Sequence, residues 1–203
     1  AVTDRSWVGR QTLLEQVEAA LKGGATLVQL REKELDEEEF FAEAVDMKAL
    51  CAKYGIPFIV NDNVEIAIKC RADGIHVGQG DMEAGRVRAL VGDDMMIGVS
   101  VRTVKQALAA EAAGADYLGV GAVFSTTTKT DACEVARESL KEICAAVHIP
   151  VVAIGGINKG NIGQLTGTGV DGVALVSAIF AAGDIESECR ELRMLSEKIV
   201  TKG

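Results

Sequence analysis

The chain has 203 residues, with 21 lysines and arginines against 30 aspartates and glutamates, a formal charge of −9; 48% of residues are hydrophobic and 25% charged. That composition suits one soluble globular domain spanning 1–203 and excludes a disordered chain. It argues against nucleic acid as a partner, since there is no basic run and aromatics are only 4%, and against a membrane, since no apolar stretch reaches the roughly 18 residues of a span.

Taken in chain order, short apolar runs alternate with amphipathic stretches. Strands are predicted at 1–4, 26–31, 57–62, 74–78, 95–100, 117–124, 150–155 and 172–177, with helices in the intervals and a last helix over 185–200. The first helix is the clearest: Thr12 and Glu15 form a capping box, and Leu13, Leu14, Val17, Ala20 and Leu21 make a stripe of 3.6-residue period. Asp36 caps the second helix in the same way. Runs apolar on both faces and separated by helices mark parallel strands in βαβ units. GATLVQL, ADGIHVG, GADYLGVG and VDGVALVS recur at alternate strands, while IPFIVND and IPVVAIGG each enter a strand through proline, at Pro57 and Pro150. This two-unit period predicts a single (β/α)8 TIM barrel, with an open doubly wound sheet as the alternative. Five widely spaced cysteines without a C-x-x-C pair read as reduced, buried thiols of a cytoplasmic protein. The N-terminal residues AVTDRSW carry no signal-peptide pattern.

A barrel of this kind holds its chemistry at the C-terminal ends of its strands. The second predicted strand ends in Gln29, Arg31 and Lys33, which share one face if the chain stays extended and together suit a phosphate-rich anion. The next two end in Asn61-Asp62-Asn63 and Gln79-Gly80-Asp81. Asp62 and Asp81 can hold one Mg²⁺, which takes oxygen ligands, or each can cap the helix that follows. Ser100 ends the fifth strand, with the same choice between a site hydroxyl and a cap. The loop Ser125–Asp131 offers Thr126, Thr128 and Lys129, as a lid over an anion or as a surface loop. The last two strands end in Gly155-Gly156 and Val176-Ser177, where this fold commonly binds phosphate through backbone N–H groups. His76 reads as a satisfied core histidine, and His148 lies on the side away from the chemistry. A metal site, cations for a leaving diphosphate and a second phosphate site describe a transferase joining two phosphorylated small molecules.

VTDR, QLREK, NDN, HVGQxD, GVS, GVGAVFxTxTK, AIGGI and GVALVSAIF occur here in the order seen in thiamin phosphate synthases, and the chain resembles that family over its whole length. The resemblance implies condensation of 4-amino-5-hydroxymethyl-2-methylpyrimidine diphosphate with 4-methyl-5-(2-phosphooxyethyl)thiazole, with release of pyrophosphate through a pyrimidine cation. It implies that Gln29, Arg31, Lys33, Asn61, Ser100 and Lys129 hold the diphosphate, and that Arg31, Lys33 and Lys129 stabilise it as it leaves. It assigns Mg²⁺ to Asp62 and Asp81, and the thiazole phosphate to Thr126, Thr128, Gly156, Val176 and Ser177. Two departures stand out: relatives carry more chain before VTDR, which suggests a shortened N-terminal segment, and Arg102 occupies a position associated with histidine or glutamine. Rival readings are a thiazole tautomerase of the same barrel type, a Schiff-base aldolase using Lys129, and a non-catalytic phosphate-ligand binder.

Overall fold

A computed structural model describes residues 1–9, 11–125 and 135–200. Seven parallel strands form one sheet in strict chain order: β1 (Val28–Leu30), β2 (Phe58–Asn61), β3 (Gly74–Val77), β4 (Met96–Val101), β5 (Tyr117–Val120), β6 (Val151–Ile154) and β7 (Gly172–Ala174). Consecutive parallel neighbours need crossovers. These are supplied by α2 (Glu37–Lys53), α3 (Val64–Lys69), α4 (Ala84–Val91), α5 (Val104–Ala112) and α6 (Arg137–Ala146). Before the sheet lies α1 (Leu13–Lys22); after it come α7 (Ser177–Phe180) and α8 (Ile185–Val200). This is an α/β fold of TIM-barrel type.

Two expectations change. Between β6 and β7 a 3₁₀ turn, Ile162–Leu165, replaces the expected helix. Glycines at 160, 163, 167 and 169 lower helix propensity across that segment. At the N-terminus, residues 1–4 make an isolated bridge, Val2 to Gln29, in place of a strand. Asp4 ends the extended run by accepting the Ser6 N–H and capping the 3₁₀ turn Arg5–Trp7. The Val2 N–H nevertheless donates to the Leu175 carbonyl at 3.0 Å, and the Thr3 N–H to the Gln29 carbonyl at 2.9 Å. Residues 1–3 therefore bond to both the first strand and the segment after the last.

The sheet's two faces differ. Phe58, Val60, Ile75, Val77, Ile97, Val99, Leu118, Val120, Val151 and Ala153 are buried in the main hydrophobic core shared with the helices. The alternate residues, matched across the ladder by register, include Gln29, Ile59, Asn61, His76, Gly98, Ser100, Tyr117 and Gly119. Polar side chains and glycines thus share this face with Ile59, and glycine decides what fits there. A Cβ on Gly98 would fall 2.1 Å from the Tyr117 ring, so only glycine admits that aromatic.

Candidate functional site

The predicted site residues that the structure describes lie toward the C-terminal ends of the strands or in the loops just beyond. Lys33, Asn61, Asp62 and Asp81 line one open cleft of about 620 Å³, together with Glu32, Asn63 and Met82. Thr126, Thr128 and Lys129 lie outside the described residues.

Helix capping does not account for Asp62, Asp81 or Ser100. The cap of α3 is Asn63, whose Oδ1 accepts the Ile66 N–H at 2.9 Å. Asp62 stands one residue earlier with φ 64°, a left-handed conformation that aspartate tolerates better than most residues. Its N–H donates to the His76 carbonyl at 2.8 Å, and its carboxylate pairs with the Lys33 ammonium. Asp81 likewise caps no helix: its Oδ2 accepts the Gly78 N–H at 2.7 Å, closing the turn after β3. The cap of α5 is Thr103, which leaves Ser100 inside β4. Both aspartates and the nearby Asn61 and Asn63 offer only oxygen acceptors or amides, the donor set that suits Mg²⁺. Among the described residues no cluster of three or more His, Cys, Asp or Glu has metal-binding geometry, so substrate oxygens and water would have to complete the shell.

The QLREK segment departs from the expected extended run. β1 stops at Leu30, and Arg31 and Lys33 diverge. Arg31 Nη1 lies 3.4 Å from Asp4 Oδ2, while Lys33 reaches across to Asp62. The bend is made by Glu32, whose Oε1 accepts the N–H groups of both Lys33 and Glu34 at 2.7 Å.

Ser100 belongs to a second, interior network that the sequence did not announce. Its Oγ lies 2.9 Å from His76 Nε2, and His76 Nδ1 lies 2.9 Å from the Tyr117 hydroxyl. Burial pushes the Tyr117 phenol well above its ordinary pKa, with a Gln29 hydrogen bond opposing the shift, so the hydroxyl stays protonated at all ordinary pH. His76 is indeed a satisfied interior histidine, but one of its partners is a predicted site hydroxyl. Alternation along β3, β4 and β5 puts the three on one face, and the small Gly98 opposite Tyr117 was the available signal. His148 is exposed and pairs with Glu111, away from the cleft.

At the ends of β6 and β7 the backbone comes close to itself. Gly156 has φ 66°, and a Cβ there would lie 2.3 Å from the Ser125 carbonyl oxygen, so its identity is fixed by conformation and space together. Val176 directly precedes the short α7, and Ser177 begins it, so the predicted last strand ends at Ala174.

A parallel sheet of TIM-barrel type, with charged and amide side chains gathered at the strand C-termini, is the layout of a barrel enzyme. The family described as Thiamine monophosphate synthase matches residues 1–179. The "Thiamine-phosphate synthase" of Clostridium tetani is 49% identical over 191 residues, covering 94% of this chain and 91% of that protein. The protein of the same name from Clostridium botulinum is 48% identical over 200 residues, covering 98% and 94%. The solved thiamine phosphate pyrophosphorylase of Pyrococcus furiosus superposes with a TM-score of 0.89 at 38% identity, covering 98% of this chain and 95% of that one. The chain belongs to the thiamine monophosphate synthase family, a family of transferases.

Proposed function

We propose that this protein is a cytoplasmic thiamin phosphate synthase, built on a closed barrel in which residues 1–3 complete the ring. It joins 4-amino-5-hydroxymethyl-2-methylpyrimidine diphosphate to 4-methyl-5-(2-phosphooxyethyl)thiazole and releases pyrophosphate. The observation that carries this reading is the cleft where Lys33, Asn61, Asp62 and Asp81 converge, in a chain about half identical to proteins of that name.

Gln29, Arg31, Lys33, Asn61, Ser100 and Lys129 bind the pyrimidine diphosphate, and Thr126, Thr128, Gly156, Val176 and Ser177 bind the thiazole phosphate. Asp62 and Asp81 would hold Mg²⁺, which when bound offsets the charge of the leaving diphosphate. As the diphosphate arrives, the Lys33 ammonium exchanges the Asp62 carboxylate for phosphate oxygens, which would free Asp62 to hold a metal ion. The bond between the pyrimidine methylene and the bridging oxygen then breaks, with its electron pair departing on pyrophosphate. Arg31, Lys33 and Lys129 stabilise that developing charge. The thiazole nitrogen donates its lone pair to the methylene cation and forms the new C–N bond. No side chain acts as nucleophile, so positioning and fixed charge carry the catalysis.

Incubation of the purified protein with both substrates and Mg²⁺ tests this reading. Thiamin phosphate and pyrophosphate should appear in equal amounts, and chelation of the metal should stop both. Isomerisation of a thiazole without pyrophosphate release would identify a tautomerase, and borohydride trapping of a substrate on Lys129 would identify an aldolase. Binding without turnover would identify a phosphate-ligand binder.

A further inference from the structure

We propose that Glu32, braced by Arg5, is the positioning residue that presents Lys33 to the diphosphate. The inference rests on the function proposed above.

Glu32 lies between the two cations of QLREK but does not share their setting: Lys33 is exposed, whereas Glu32 is 7% exposed. A buried carboxylate must find donors, and this one finds them on two sides. Oε1 accepts the backbone N–H groups of Lys33 and Glu34 at 2.7 Å, and that of Leu35 at 3.4 Å. Oε2 takes Nε of Arg5 at 2.8 Å, and Arg5 Nη2 reaches both oxygens of Glu43 on α2 at 2.8 Å. Burial works to raise the Glu32 pKa, yet these donors bring it below the ordinary carboxylate value, so the brace is anionic at neutral pH.

The geometry divides the labour. One oxygen folds the chain just after β1, so that the Lys33 side chain crosses to Asp62 at the cleft. The other ties this turn to the N-terminal segment and, through Arg5, to α2. Backbone N–H groups that an extended strand would have left to a ladder are satisfied by a side chain, and the turn therefore keeps its shape without further secondary structure. The neighbouring Asp4 lies against Arg31. Two consecutive residues of VTDR thus engage two consecutive residues of QLREK.

Glutamine is the informative substitution, because its amide has one oxygen where the carboxylate has two. In Glu32→Gln, either the backbone N–H groups or Arg5 must face an NH₂. Glu43→Gln disturbs the same ion cluster from the far side of Arg5 but keeps the Glu32 carboxylate and the N–H groups it accepts from, and so controls for disturbance of the cluster itself. The probe is inorganic pyrophosphate with Mg²⁺, titrated calorimetrically into each protein, alongside steady-state kinetics with both substrates. We expect Glu32→Gln to weaken pyrophosphate binding at least tenfold and to lower kcat with the diphosphate substrate, leaving the KM for the thiazole phosphate within twofold. Glu43→Gln should bind pyrophosphate as the unsubstituted protein does. Equal weakening in both variants, or none in Glu32→Gln, overturns the proposal. Failure of the unsubstituted protein to bind pyrophosphate would instead sink the functional reading beneath it. Hydrogen exchange on the unsubstituted protein reads the brace even if Glu32→Gln does not fold: the Lys33 and Glu34 amides should be protected together, and exchange at the rate of an open loop overturns the proposal.

Discussion

Gly98→Ala puts a methyl group where the Tyr117 ring now sits. The new Cβ would lie 2.1 Å from Cζ and 2.4 Å from both Cε1 and the hydroxyl oxygen. Ordinary contact begins at 3.4 Å, so the ring must retreat by 3.4 − 2.1 = 1.3 Å. It is not free to do so, because its hydroxyl is held 2.9 Å from His76 Nδ1. Overpacking costs about 1–3 kcal/mol, and a desolvated hydroxyl parted from its partner costs about 1–3 kcal/mol more. A loss of about 4 kcal/mol is therefore expected, which at an m-value of about 2 kcal/mol/M lowers the urea midpoint by about 2 M. Unfolding followed by circular dichroism measures it. The same substitution in a Tyr117→Ala background should cost under about 0.5 kcal/mol, since the obstructing ring is gone. A small cost in the native background, or the same large cost in both, would refute the steric reasoning.

Three other outcomes follow from the site and the core. Lys129→Ala should lower the rate of the chemical step by about 10²–10³-fold, as loss of a transition-state donor does, while thiazole phosphate binding changes little; unchanged single-turnover rates would contradict this. Asp62→Asn suits the left-handed backbone at φ 64°, so its melting temperature should stay within about 2 °C of the native value, yet the Mg²⁺ concentration giving half-maximal activity should rise at least tenfold. An unchanged Mg²⁺ dependence would remove Asp62 from the metal site. Burial pushes the Cys51 thiol from 9.0 up to about 11, so the folded state keeps a proton that the unfolded chain gives up. Its contribution is intact below pH 9 and declines as pH rises through 11, by about 2.7 kcal/mol for two pKa units. Cys51→Ala should show correspondingly less loss of stability over that interval in urea titrations, and identical pH profiles would refute the assignment.

Much of the fold was legible because strand and helix obey different periods. Seven of the eight predicted strands are present within a residue or two at their start, and the Thr12–Glu15 capping box forms as read. The N-terminal run is shorter than its hydrophobicity predicts, because hydrophobicity does not show that the Asp4 side chain turns to accept the Ser6 N–H. The β6–β7 crossover departs from the helix that spacing predicts because the glycines within it disfavour one. At the candidate site, residue type singles out Asp62 and Asp81 but not what their side chains bond to: Asn63 relieves Asp62 of capping, a choice between two adjacent side chains that only backbone geometry makes. Tyr117 and Glu32 were missed for a related reason. Each is bonded to a partner distant in sequence, Tyr117 to His76 and Glu32 to Arg5, and neither partnership has a local signature.

The convergence of Asp62, Asp81 and Lys33 on one diphosphate is tested most directly by a crystal structure of the protein with Mg²⁺ and pyrophosphate. The predicted result is one metal bound by Asp62, Asp81 and pyrophosphate oxygens, with the Lys33 ammonium moved from Asp62 onto the phosphate. Pyrophosphate bound elsewhere, with Asp62 still paired to Lys33 and Asp81 still closing the Gly78 turn, would contradict it.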